Sequence, residues 1–182
     1  MIIKKTEIEG LLEIEPNVLQ DDRGYFLESF RQNLLQSIGI EAHFVQDNES
    51  ASKKGVLRGL HFQAPPHEQG KLVRVIKGSV WDVAVDIRVG SPTFGKHCAI
   101  LLSEQNKKQF WIPPGFAHGF LVLEDDTIFS YKCTAYYNKE SEGTLRWNDP
   151  TLGISWNFAE PILSEKDKVA PLLSELVSPF YQ

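Results

Sequence analysis

Residues 56–63 read VLRGLHFQ, and residues 69–88 read QGKLVRVIKGSVWDVAVDIR. Arg58, His61 and Lys71 interrupt chain that otherwise reads as buried strand. A cation in an apolar strand is costly to bury unless an anion or a paired group meets it. These three residues therefore predict a cavity that takes a negatively charged ligand beside a titratable base. A lone strand histidine is more often a core residue bonded to a backbone carbonyl. Two cations close by change that reading, because positive neighbours and burial both favour neutral imidazole, the form a base needs. The spacing also sets a geometric demand. In a regular strand Arg58 and His61 face opposite ways, since side chains alternate. A bulge at Gly59 would bring both to one side.

Further candidates surround this set. Tyr131, flanked by Ser130 and Lys132, is core by default, but a phenol facing a cavity is an acid. Tyr137 is expected on the same strand face and could stack on a planar ring. The run from Pro114 to His118 resembles the turn-then-histidine of cupins, where that histidine often binds metal. The matching earlier stretch, His61–Phe62–Gln63, lacks the second histidine, so no set of three metal-type ligands forms and no metal is expected. His118 is read as a polar cavity residue or a structural one. Ser164 to Asp167 matches a helix start with Asp167 as an N-terminal carboxylate; the sharper reading is that Asp167 orients His61. Arg23 is suited to gripping a diphosphate in fork geometry, or is a solvated turn residue. Gln46 and Asn48 are polar loop candidates.

The elements that must position these residues are mostly short strands separated by turn signals. Strands are predicted over 2–8, 11–16, 25–29, 72–76, 80–87, 96–103, 109–112, 120–123 and 128–137, with strands predominating to about residue 156. Phe30, Leu34, Leu35 and Ile38 follow helical spacing, with Gly39 as the stop. Lys77–Gly78–Ser79 is expected to turn a hairpin. In 80–87, Trp81, Val83, Val85 and Ile87 share one face, while Asp82, Ala84, Asp86 and Arg88 share an expected wetter one. Residues 161–182 read as short helical turns packed outside. The sum is an all-β fold, an antiparallel double sheet or barrel with a few short peripheral helices, in a single domain over 1–182.

Composition narrows the function. The 182 residues carry a net charge of −5 with no basic stripe, which argues against nucleic acid. Apolar runs fall short of a membrane span, and the start of the chain lacks the apolar run of a signal peptide. Cys98 and Cys133 are too few for a disulfide framework. A reducing cytoplasm is expected. There is no Gly-rich phosphate loop, so a nucleotide-cofactor fold is not indicated.

The motifs taken together resemble the dTDP-4-dehydrorhamnose 3,5-epimerase family. The matching runs are DDRGYFLESF at 21–30, FVQDNES at 44–50, KKGVLRGLHFQ at 53–63 and QGKLVRV at 69–75. They continue with VAVDIRVGSPTFGK at 83–96, WIPPGFAHGF at 111–120, YKCTAYYNKESEG at 131–143, WNDP at 147–150 and LSEKD at 163–167. The resemblance covers nearly the whole chain in order, and no motif position departs from it. It implies a cupin-type jelly roll, a homodimer without metal or organic cofactor, and action on dTDP-4-dehydro-6-deoxyglucose to give dTDP-4-dehydro-L-rhamnose. It further implies His61 as proton acceptor, Tyr131 as proton donor, Asp167 as partner of His61 and Lys71 as enolate stabiliser. Arg23, Phe26, Glu28, Gln46, Asn48, Arg58, His118, Glu142 and Lys166 would contact the ligand, and Tyr137 would stack on the thymine. The alternatives are a single-centre epimerase or 3,4-ketoisomerase on the same scaffold, or a cupin that only binds a sugar nucleotide.

Overall fold

Short runs with apolar residues at every second position bury one face each, so they are stable only when packed face to face. The computed structural model describes residues 1–37 and 39–182. Its strands are β1 (Ile2–Lys5), β2 (Leu12–Glu15), β3 (Val18–Asp21), β4 (Gly24–Leu27), β5 (Gln46–Ser52), β6 (Leu57–Gln63) and β7 (Lys71–Lys77). They continue as β8 (Ser79–Asp86), β9 (His97–Ser103), β10 (Gln109–Ile112), β11 (Phe116–Val122), β12 (Thr127–Cys133) and β13 (Glu142–Thr144). Two short helices are α1 (Gln32–Gln36) and α2 (Glu165–Lys168). One sheet has the order β1-β2-β10-β7-β12-β5 and the other β13-β6-β11-β8-β9, with β3 and β4 paired only to each other. This is the expected cupin-like antiparallel double sheet with short peripheral helices.

Three apolar clusters hold it. Between the sheets lie Val73, Val75, Phe110 and Phe129 from one side, facing Val80, Ala84, Leu102 and Phe120 from the other. The outer face of the five-stranded sheet, carrying Val83, Val85 and Ile87, is covered by Leu152, Trp156 and Phe180 from the end of the chain. The outer face of the six-stranded sheet, with Ile14, Leu72 and Trp111, is covered by Leu35 of α1 and by Ile40.

Four sequence expectations change. Lys77–Gly78–Ser79 does not close a hairpin: β7 pairs with β10 and β12, whereas β8 pairs with β11 and β9. Gly78, at φ +78°, passes the chain from one sheet to the other instead. The expected wet face of β8 is the interior one, and Asp82 and Asp86 are completely buried. Both faces of β8 are covered, because the chain beyond β13 folds back over the outer one. The strand foreseen over 128–137 stops at Cys133, since Thr134 turns to bond Gly70. The last strand is β13, so the expected run of strands to about residue 156 ends early. Helix α1 falls where helical spacing placed it; Ile38 lies outside the described residues.

Asp86 shows how a carboxylate survives in the interior. It accepts from Arg88 Nε and Nη2 at 2.9 and 2.7 Å, and from the Ser91 and Thr93 hydroxyls at 2.6 Å each. Burial alone would raise its pKa; Arg88, Ser91 and Thr93 outweigh burial and hold it at about 2. A depressed native pKa gives stability that is present above the unfolded value and lost as pH falls through the native one. Asp86→Asn is therefore expected to cost about 2 kcal/mol at pH 7, with about half that difference left at pH 3. Urea titrations of both proteins at the two pH values check this, and an equal gap at both would contradict it.

Candidate active site

Strand β6 carries both Arg58 and His61, and the parity conflict between them is resolved in the backbone. His61 pairs with His118 and Arg58 with Phe120, so three steps on β6 oppose two on β11. The irregularity sits at Gly59, which adopts φ +137°, a region that favours glycine. Arg58 and His61 consequently line one cavity of about 570 Å³, together with Ser50, Lys71, His118, Phe120, Phe129, Tyr131, Lys166 and Asp167. A second lobe of about 380 Å³ shares His61, Lys71 and Tyr131 and adds Gln46, Asn48, Tyr137 and Glu142.

The cavity lies between the sheets, and each sheet supplies part of it. His61, Arg58, His118 and Glu142 stand on strands of the five-stranded sheet; Lys71, Tyr131, Gln46 and Asn48 stand on the six-stranded one. Tyr131 is paired with Val73 on one flank and Asn48 on the other, which fixes its strand in the sheet. The helix α2 brings in Asp167 from the far end of the sequence. Ser164 caps α2 by accepting from the Asp167 backbone, so the helix-start reading holds. The Asp167 side chain also meets His61, with Oδ1 2.6 Å from Nε2.

An ionised carboxylate only accepts hydrogen bonds, so Nε2 is the donor to Asp167, and in a neutral ring so held Nδ1 would carry the lone pair. Burial would raise the Asp167 carboxyl, but the His61 contact, with Ser164 and Lys166, brings it below its ordinary value. Burial pushes the Tyr131 phenol up, so it stays protonated at neutral pH. Burial pushes the Lys71 amine down, against the pull of Cys133, Asp82 and Glu142. The pocket thus holds an oriented imidazole on one wall, a protonated phenol on the other, and the buried Lys71 amine. That set can remove a proton from carbon, stabilise the resulting oxyanion and return a proton.

The remaining expected residues divide. Tyr137 is not on the Tyr131 strand face but in the loop after β12, where its backbone donates to Gln46 Oε1 at 2.8 Å. Gln63, which the sequence reading passed over, holds the same loop through bonds to the Tyr136 carbonyl and the Asn138 amide. Lys166 and Glu142 pair with each other at 2.6 Å beside the cavity. Arg23 and Phe26 do not reach it: they lie on the exposed β3–β4 hairpin, with Arg23 held by Asp21 at 2.6 Å. Glu28 pairs with Arg31 instead. Asp82, read as wet, lies under His118 at 3.0 Å. Among the described residues, no three His, Cys, Asp or Glu side chains group to hold a metal ion. A larger hollow of about 810 Å³ runs between the first strands and residues 39–43, but it gathers no comparable acid–base pair.

The profile of the dTDP-4-dehydrorhamnose 3,5-epimerase family matches residues 5–175. The chain belongs to that family. The dTDP-4-dehydrorhamnose 3,5-epimerase of Salmonella typhimurium is 54% identical over 177 residues, which span 96% of this chain and 97% of that protein. Among solved structures, the Legionella pneumophila dTDP-6-deoxy-D-glucose-3,5-epimerase, in complex with dTDP-4-keto-L-rhamnose, is 51% identical with a TM-score of 0.95. That match covers 100% of this chain and 98% of the other. A 3'-monoepimerase from Streptomyces bikiniensis, in complex with dTDP-quinovose, is 35% identical with a TM-score of 0.88, over 93% of this chain and 86% of that one. The epimerase family's scaffold therefore carries the double sheet described above.

The passage of β6 over β11 leaves no room for a side chain. A Cβ on Gly59 would lie 2.5 Å from Gly119 Cα and 3.0 Å from the His118 carbonyl oxygen. Gly59→Ala is expected to cost more than about 2 kcal/mol through steric and backbone strain. Thermal unfolding measures it; a wild-type midpoint would show that the close approach is not needed.

Proposed function

We propose that this protein epimerises dTDP-4-dehydro-6-deoxy-D-glucose at both carbons flanking the ketone, giving dTDP-4-dehydro-L-rhamnose for dTDP-L-rhamnose synthesis. The observation that carries the mechanism is the pairing of opposed walls: His61 backed by Asp167 on one sheet, Tyr131 on the other, and Lys71 in the same cavity. A ketone acidifies hydrogens on its neighbouring carbons. His61 Nδ1 removes one, and the electrons pass to the ketone oxygen as an enolate. Lys71 supplies positive charge for that oxygen. Tyr131 returns a proton from the opposite face, which inverts the centre. Each proton-transfer group contributes on the order of 10²–10⁴ in rate.

Arg58 holds the diphosphate and fixes the sugar against the base. Gln46, Asn48, Glu142 and Lys166 line the nucleotide side, and Tyr137 stacks on the thymine. The pairing of Glu142 with Lys166 keeps both charges compensated until the ligand enters. No helix of the described residues is long and apolar enough to cross a membrane. With two free cysteines, one of them buried, we place this single-domain enzyme in the cytoplasm.

We further propose a homodimer. Among the described residues the β3–β4 hairpin pairs with no other strand, and Leu19, Tyr25 and Phe26 on it are 58%, 57% and 68% exposed. An apolar arm of this kind, with Arg23 at its turn, suits a partner's surface. Arg23 and Phe26 then reach the partner's ligand rather than their own.

Incubation of substrate in heavy water is expected to place deuterium at both carbons beside the ketone, read by NMR. Deuterium at one carbon marks a single-centre epimerase. His61→Asn should lower turnover about 10²–10⁴-fold. Tyr131→Phe should retain exchange while losing inversion. Near-full turnover by His61→Asn, or no solvent deuterium in the sugar, overturns the assignment. For the dimer, chains carrying Arg23→Ala and His61→Asn should regain activity when mixed. A monomer by sedimentation contradicts it.

A further inference from the structure

Two histidines stand side by side on neighbouring strands, His61 on β6 and His118 on β11, directly paired in register. Each gives its Nε2 to a carboxylate. His61 meets Asp167 at 2.6 Å, and His118 meets both oxygens of Asp82 at 3.0 Å. The mechanism above uses only the first couple. The second is buried more deeply: Asp82 is 0% exposed and His118 6%. Phe120 and Phe129 flank the His118 ring, each with its centroid 6.3 Å away. His118 lines the cavity and Asp82 does not. A carboxylate shut away beneath an apolar strand is costly unless its bond to the ring matters.

We propose that Asp82 is a positioning residue that locks His118 in the Nε2–H tautomer, leaving Nδ1 as an acceptor for a hydroxyl of the keto sugar. The inference rests on the epimerase reading above. An ionised Asp82 can only accept, so its bond consumes the Nε2 proton. Burial lowers the His118 pKa, against the pull of Asp82 and with the added push of Lys71 and His61, which keeps the ring neutral. A neutral ring protonated at Nε2 carries a lone pair on Nδ1. The cationic neighbours in the cavity wall, Lys71 and Arg58, donate rather than accept, so His118 Nδ1 supplies an acceptor beside the base. A sugar bearing a hydroxyl satisfies the site, whereas a deoxy analogue leaves a buried acceptor unpaired.

Two measurements test this. Nitrogen-15 NMR of the histidine-labelled wild-type protein at pH 7.5 is expected to show His118 protonated at Nε2 and bare at Nδ1. An Nδ1–H tautomer or an imidazolium overturns the proposal, whatever the variants do. In Asp82→Asn the amide can donate to Nε2, which reverses the tautomer. The variant should lose about 10–100-fold in kcat/KM, mostly through KM, and no further activity should be lost when it is added to His118→Gln. An equal loss in both backgrounds marks a purely structural role and contradicts the proposal, as does wild-type KM. Wild-type turnover in the same assay checks the epimerase reading separately. An active wild type with the other tautomer sinks only the role of Asp82.

Discussion

At Gly59 and Gly119 the backbones of β6 and β11 pass closer than any side chain allows, and the whole site follows from that contact. Because β6 takes one extra residue there, Arg58 and His61 leave their alternating faces and look into one cavity. Without it, either His61 or Arg58 would point into the apolar layer covered by Leu152 and Trp156. Glycine at both positions is a steric requirement on the approach. The functional geometry therefore rests on two residues with no chemistry of their own.

The second constraint is electrostatic. The interior between the sheets holds His61, Lys71, Asp82, Asp86, His118 and Asp167 among phenylalanines and valines. Each carboxylate is compensated locally: Asp86 by Arg88 and two hydroxyls, Asp82 by His118, and Asp167 by His61 and the α2 cap. Lys71 differs, because burial destabilises its charge and nearby anions only partly restore it. A cation held in this state gains most when negative charge develops next to it, as on an enolate oxygen. Structural polarity and reactive polarity thus share one interior, separated by how fully each group is paired.

Sheet topology assigns His61 and Tyr131 to opposite walls. Strands β6 and β12 never pair, and each sits within its own sheet between non-local neighbours. In the mechanism proposed above, a planar enolate between the walls would meet the imidazole on one face and the phenol on the other, the arrangement inversion requires. The last elements complete the site from outside: α2 delivers Asp167, and the loop after β12, pinned by Gln46 and Gln63, delivers Tyr137.

Much of this was legible from side-chain types and spacing. Cations in strand-like sequence announced the cavity, the odd interval between Arg58 and His61 demanded a bulge at Gly59, and alternation gave most strands. The order of motifs along the chain gave the family. Three things were not legible. The turn at Gly78 looks local but links two sheets, because strand partners here are distant in sequence. Asp82 and Asp86 read as wet because alternation marks a face as different without saying what covers it. Tyr137 read as strand because a loop's end is set by a bond from Thr134 to Gly70. The sequence by itself determined which side chains are candidates for chemistry, through their types and intervals. Only the tertiary structure decided which wall each occupies and which carboxylate meets which histidine, since those contacts join positions up to 106 residues apart and periodicity carries no information at that range.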